Sequence, residues 1–84
     1  MSKESEKLQL TIAKVDGPVF DGLVDSVTVP GSDGVMSILA KHQSMISTLS
    51  EGQITIKIDG KEDEIYEVEK GMVEISDNSA TILI

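Results

Sequence analysis

His42 is the only histidine in the 84 residues, and the chain contains neither cysteine nor arginine. A nucleophilic triad would have to join His42 to a serine and an aspartate. No serine sits in the Gly-x-Ser-x-Gly elbow that lifts a nucleophile above a sheet. One imidazole without a thiolate is too small a ligand set for a transition-metal centre. The acids between positions 16 and 25 are Asp16, Asp21 and Asp25, which lack the Asp-x-Asp-x-Asp-Gly spacing of a calcium loop. No Gly-x-x-x-x-Gly-Lys-Ser/Thr run is present to cradle phosphates. The residues argue against independent catalysis, and no cofactor, metal or nucleotide site is expected.

One lysine carries a second chemical possibility. Glu69-Lys70-Gly71-Met72 loosely resembles the hairpin lysine of biotinyl and lipoyl carrier domains, which are also small all-β modules. Those carriers hold their lysine in a Met-Lys-Met or Asp-Lys-Ala setting, whereas glycine follows Lys70 here. A free-standing carrier or adaptor module with Lys70 in a hairpin turn stands as the alternative function. The plainer reading is a turn with a solvated charge.

Charge narrows the partners. A formal net charge of −8 repels a phosphate backbone or an anionic leaflet, both of which are bound by clustered lysine and arginine. Phe20 and Tyr66 are the only aromatics, too few for a base-stacking platform. Neither nucleic acid nor direct lipid insertion is expected, and a basic protein surface suits the charge. The absence of cysteine fits a reducing compartment. Met1 to Lys7 is charged without an apolar stretch behind it, which gives no sign of a signal peptide; residues 1–6 are expected to be disordered or frayed.

Period-two patterning must position whatever the domain uses. Leu8, Leu10 and Ile12 alternate with polar residues, as do Ile54, Ile56 and Ile58, and each run reads as a strand with one buried face. Turn signals recur at Asp16-Gly17-Pro18, Asp21-Gly22, Pro30 to Gly34, Glu51-Gly52, Asp59-Gly60, Lys70-Gly71 and Asp77-Asn78-Ser79. Short strands at such spacing predict a sandwich or barrel. Asp59-Gly60 predicts a two-residue hairpin, Phe20 is expected to anchor the core, and Pro30 to end a strand. Glu62-Asp63-Glu64 reads as a solvated rim that discourages edge pairing. The fold expected is a single all-β domain over 1–84.

The middle of the chain, Val19-Phe20-Asp21-Gly22-Leu23-Val24 running on to Val29-Pro30-Gly31-Ser32-Asp33-Gly34, resembles the epsilon subunits of F-type ATP synthases. In that family a Phe-x-Gly-x-Val strand leads to a Pro-Gly-x-x-Gly turn. The family's next segment, Gly-Ile-Leu-Pro-Gly-His, is matched by Ser37-Ile38-Leu39-Ala40-Lys41-His42. Its apolar x-x-Leu-x-x-Gly run corresponds to Met45 through Gly52. Tyr66-Glu67-Val68-Glu69-Lys70-Gly71-Met72-Val73-Glu74-Ile75 is similar to Tyr-x-Val-x-Gly-Gly-Phe-x-Glu-Val, and Thr81-Ile82-Leu83 to a closing Thr-x-Leu strand. The correspondence is ordered from about Leu8 to Ile84.

What the resemblance implies is a flattened β-sandwich of about ten short antiparallel strands in two sheets, lacking the family's C-terminal helical hairpin. It implies a non-catalytic central-stalk subunit between gamma and the c-ring of a proton-translocating ATP synthase. Such a subunit is peripheral on the cytoplasmic face of the inner (plasma) membrane. By position, Ser32, Asp33, Gly34 and Val35 are implied to face the ring, and His42, Gln43, Ser44, Met45 and Ile46 to face gamma. Lys41 and Lys70 replace small residues of the family, which implies a locally adjusted interface.

Overall fold

The computed structural model describes residues 7–84; the fraying expected for residues 1–6 lies outside them. Nine strands are present among the described residues: β1 Leu8–Lys14, β2 Gly17–Val24, β3 Ser26–Gly31, β4 Gly34–Leu39, β5 Met45–Leu49, β6 Gly52–Lys57, β7 Glu64–Val68, β8 Gly71–Ser76 and β9 Ser79–Leu83. The count is close to the ten or so that the resemblance implied, although one turn signalled in the sequence, Asp21-Gly22, is not formed. These residues make no turn but continue β2, with Asp21 opposite Thr11 and Gly22 opposite Leu10. The Phe20 ring lies beside Gly22, about as close as a methyl there would tolerate. Phe20 is only half-buried at the core margin, so it does not anchor the core as expected.

Hydrogen bonding joins all the strands, in the order β2-β1-β9-β8-β5-β3-β6-β7 with β4 on the far edge of β3. The link between β5 and β3 is narrow: Gly31 opposes Leu49, and the bonds Ser32 N–H to Thr48 C=O and Ser50 N–H to Pro30 C=O flank it. On either side of this seam the sheet curls into two layers, β2-β1-β9-β8-β5 and β4-β3-β6-β7. The expected two sheets are thus halves of one curled sheet. One pair departs from the expected antiparallel pattern, since β1 and β9 run parallel, Gln9 opposite Ser79 through Ala13 opposite Leu83. A parallel neighbour needs no connecting turn when it comes from the far end of the chain.

Every strand contributes to one aliphatic core. Leu8, Leu10 and Ile12 of β1, Val27 and Val29 of β3, Ile54 and Ile56 of β6, and Val73 and Ile75 of β8 are buried, together with Val24, Ile38, Leu49, Val68, Ala80 and Ile82. The alternating residues face out, as period-two strands require. Among the described residues, no charged or polar side chain is buried in it.

Asp59-Gly60 is not a two-residue hairpin, because β6 ends at Lys57 and β7 begins at Glu64. Gly60 alone takes a positive φ, +82°, in a turn closed by Lys61 N–H to Ile58 C=O at 3.0 Å. The Asp59 N–H is drawn instead to the Asp25 carboxylate, and Lys57 pairs with Asp63 at 3.1 Å across the loop. The β8–β9 hairpin does turn through two residues, with Asp77 at φ 51° and Asn78 at φ 63°, the type I′ geometry that matches strand twist.

Gly71 sets the spacing of β8 against the end of β9. A Cβ there would stand 2.2 Å from the Leu83 carbonyl oxygen and 3.0 Å from Ile84 Cγ2. Backbone cannot yield that distance without shifting a strand. Gly71→Ala is expected to lower the unfolding free energy by about 1–3 kcal/mol, read as a fall in the urea midpoint.

Candidate interface surfaces

The two groups of implied contact residues stand at opposite ends of β4. Ser32 and Asp33 form the exposed tip of the β3–β4 hairpin, closed by Gly31 opposite Gly34. Gly34 has φ +135°, open to glycine and strained for other residues. Ser32 is pinned from the side: its hydroxyl is 2.7 Å from that of Thr48, and its N–H donates to the Thr48 carbonyl at 3.0 Å. Val35 follows with 75% of its surface exposed. Ser32, Asp33, Gly34 and Val35 are brought together on one rigid tip.

The second group divides. His42, Gln43 and Ser44 occupy the loop between β4 and β5, with His42 half-buried and its neighbours exposed. The His42 N–H donates to the Leu39 carbonyl at 3.2 Å, and its Nδ1 lies 2.8 Å from the Gln43 carbonyl. Met45 and Ile46 begin β5 and point to opposite faces. Met45 packs against the core, while Ile46 is 65% exposed and stands opposite Glu74 of β8. Ser44, Met45, Ile46, Glu74, Ile75 and Ser76 line a shallow groove there.

A residue that sequence reasoning missed holds this loop in place. Asn78 accepts the Lys41 N–H on its side-chain oxygen at 2.7 Å and donates from Nδ2 to the Lys7 carbonyl at 2.7 Å. Its only signal in the sequence was a turn, and a turn does not disclose what its side chain reaches. Asp25, at the corner between β2 and β3, plays a similar part beside the β6–β7 loop. It accepts from Lys7 Nζ and from the Asp59 N–H, and its own N–H donates to the Lys57 carbonyl at 2.9 Å.

The Lys7 ammonium first, and the Asp59 N–H second, hold the Asp25 carboxyl below its ordinary value of 3.8. A carboxyl depressed in the folded state contributes stability above its unfolded pKa and loses it as pH falls through the folded one. Asp25→Asn is therefore expected to be less stable than the parent at neutral pH. The gap in urea midpoint should close as pH is lowered through the carboxylate range. A gap that does not change with pH contradicts the pairing.

Lys70 is exposed in the link from β7 to β8. That link is no hairpin, contrary to the carrier reading: β7 pairs with β6, and β8 with β5 and β9. The chain crosses there from one layer to the other. Among the described residues, no three His, Cys, Asp or Glu side chains converge as metal ligands.

Aliphatic core, curled layers and polar tips held by backbone bonds define a small β-sandwich module whose features lie on its loops and strand edges. Residues 7–84 match the family model of the ATP synthase delta/epsilon chain β-sandwich domain. The ATP synthase epsilon chain of Nitratiruptor sp. is 41% identical over 80 residues, covering 94% of this chain and 61% of the relative. That of Caulobacter vibrioides is 32% identical over 77 residues, covering 92% and 88%. A chain in the Euglena gracilis mitochondrial ATP synthase structure superposes with a TM-score of 0.87 at 20% identity, over 98% of this chain and 52% of that one. A chain from the Tetrahymena thermophila central stalk and c-ring gives 0.77 at 18% identity, over 98% and 65%. The chain belongs to the ATP synthase delta/epsilon β-sandwich family. It spans 61% of the length of several of its curated relatives.

Proposed function

We propose that this domain is a non-catalytic rotor element of a proton-translocating F-type ATP synthase. It would stand between the gamma shaft and the c-ring, as a peripheral part of the complex at the cytoplasmic face of the inner (plasma) membrane. The observation that carries the proposal is the match of residues 7–84 to the delta/epsilon β-sandwich. The placement of the two contact groups supports it. Ser32 to Val35 lie at one end of β4, and His42 to Ser44 at the other. Six residues of strand separate the ends by roughly 20 Å.

The proposed mechanism is mechanical. A close-packed aliphatic core between two layers leaves little slack, so torque applied at one end arrives at the other. Ile46 supplies an exposed apolar contact beside the His42 loop, suited to the desolvated centre of a protein interface. The carrier alternative loses the hairpin it requires at Lys70. Co-expression with a gamma subunit tests the reading: the two chains are expected to co-elute on size exclusion. Elution of this domain alone, folded, would contradict it.

A further inference from the structure

Among the described residues, four strands present an edge without a ladder partner along most of its length, and they are not equally guarded. β2 carries Pro18, Asp21 and a bulge between Ile12 and Ala13 of its partner. β7 carries Glu64 and Glu67. The free edge of β5 is short, since its far end is tied to β3. β4, Gly34-Val35-Met36-Ser37-Ile38-Leu39, has no charge and no proline, and pairs with β3 in unbroken register over all six residues. Charges, prolines and bulges are the usual guards of a sheet edge against pairing, and β4 has none of them.

Ladder parity shows what that edge offers. Gly31 and Gly34 close a two-residue hairpin and so form a hydrogen-bonded pair, as then do Val29 with Met36 and Val27 with Ile38. The Pro30 carbonyl confirms the phase, because it points to the other edge of β3 and accepts from Ser50. The N–H and C=O groups of Val35 and Ser37, and the N–H of Leu39, therefore point outward. Among the described residues no backbone or side-chain partner meets them. The Leu39 carbonyl takes one bond from His42 and keeps a second lone pair. Val35 is 75% and Leu39 55% exposed on the same face.

We propose that β4 is a self-complementary pairing edge, through which the unassembled domain binds a second copy of itself in antiparallel β-addition. A two-fold axis through Ser37 sets Ser37 against Ser37 of the second copy and Val35 against Leu39 of the second copy. All of these residues carry outward-pointing backbone groups, as an antiparallel hydrogen-bonded register demands. The same register sets exposed Val35 beside exposed Leu39, the kind of apolar cross-strand pair that stabilises a sheet. The Val35–Leu39 pairing favours this alignment over a slipped one, which would set Val35 or Leu39 against Ser37, although each copy is strongly acidic. The pair covers Val35, so it belongs to the domain outside any larger assembly, and it does not rest on the stalk reading.

An interface of one strand pair is small and weak, below about 1,200 Å² and in the micromolar to millimolar range. Sedimentation equilibrium of the full chain from about 10 μM to 1 mM is expected to show monomer giving way to dimer. Ser37→Lys puts two ammonium groups face to face at the axis and is expected to remain monomeric, with an unchanged far-UV spectrum. Because the chain has no cysteine, Ser37→Cys offers a single thiol. A short bis-maleimide is expected to join it into a covalent dimer, while Lys70→Cys stays monomeric. The near-isosteric cysteine variant decides the matter should Ser37→Lys not fold. Monomer at every concentration, a dimer that survives in folded Ser37→Lys, or equal cross-linking at positions 37 and 70 overturns the proposal.

Discussion

Ile56→Ala is expected to remove about 2–5 kcal/mol of stability, the range for truncating a fully buried isoleucine. Ile56 is entirely buried on β6, opposite Val27 and Glu64 on the strands to either side. It projects into the aliphatic core between the layers. A domain of this size has a net stability of roughly 5–10 kcal/mol, so this one side chain decides whether most molecules are folded at 37 °C. The loss combines the transfer of three methyl or methylene groups with the cavity left behind, which aliphatic neighbours fixed on ladders fill poorly. Ile65→Ala provides the control. It lies one strand away with 55% of its surface exposed on the outer face, and should change stability by less than about 0.5 kcal/mol. Urea denaturation of both variants checks the pair, and equal losses would mean that β6 and β7 are out of register.

The second large effect concerns binding. In the stalk reading, Ile46→Lys weakens association with gamma by about 30-fold or more, equivalent to ~2 kcal/mol at an interface centre. The fold should tolerate the change, because Ile46 is 65% exposed and the new ammonium faces Glu74 across the β5–β8 ladder. Opposite charges so placed are mildly stabilising. Met45→Ala gives the contrast. Met45 is half-buried and packs on the core, so truncation costs fold stability before it costs binding. Titration calorimetry of gamma with each variant, beside their urea midpoints, separates the two. Unchanged affinity in Ile46→Lys would remove Ile46 from the interface.

Much of the fold was legible because period two reports burial directly. Alternation alone marks Leu8, Leu10, Ile12, Ile54, Ile56 and Ile58 as core; the first five are buried, whereas Ile58 lies past the end of β6 and is only partly buried. Alternation says which way a residue faces, but not which strand lies alongside. The parallel seating of β1 on β9 joins opposite ends of the chain, and no local signal encodes it. Asp21-Gly22 carries the composition of a turn but sits inside β2, where pairing with Thr11 and Leu10 outweighs local preference. At Lys70 the tight Lys-Gly junction was evident, whereas the change of layer it makes depends on the partners of β7 and β8.

The contact surfaces were half legible for the same reason. Pro30 to Gly34 announced a tight tip, and the tip is there. That Met45 turns inward while Ile46 turns outward follows from the phase of β5 against β8. That Asn78 clamps the His42 loop follows from tertiary placement, since Asn78 and Lys41 are 37 residues apart. Glu64, at the start of β7, already reads as an edge guard with Glu62 and Asp63, whereas the guards on β2 and their absence from β4 could be recognised only once the edges were known.

Single cysteines placed at Asp33 and at Gln43 in the otherwise cysteine-free chain test the two-ended coupling most directly. Each variant would be assembled into the complete ATP synthase and activated with a short thiol-directed photo-cross-linker. The expected result is a covalent product with the c subunit from position 33 and with gamma from position 43, each arresting rotation-dependent ATP synthesis. The same partner captured from both positions, or neither subunit captured by an assembled domain, would contradict a domain that joins shaft to ring through opposite ends of β4.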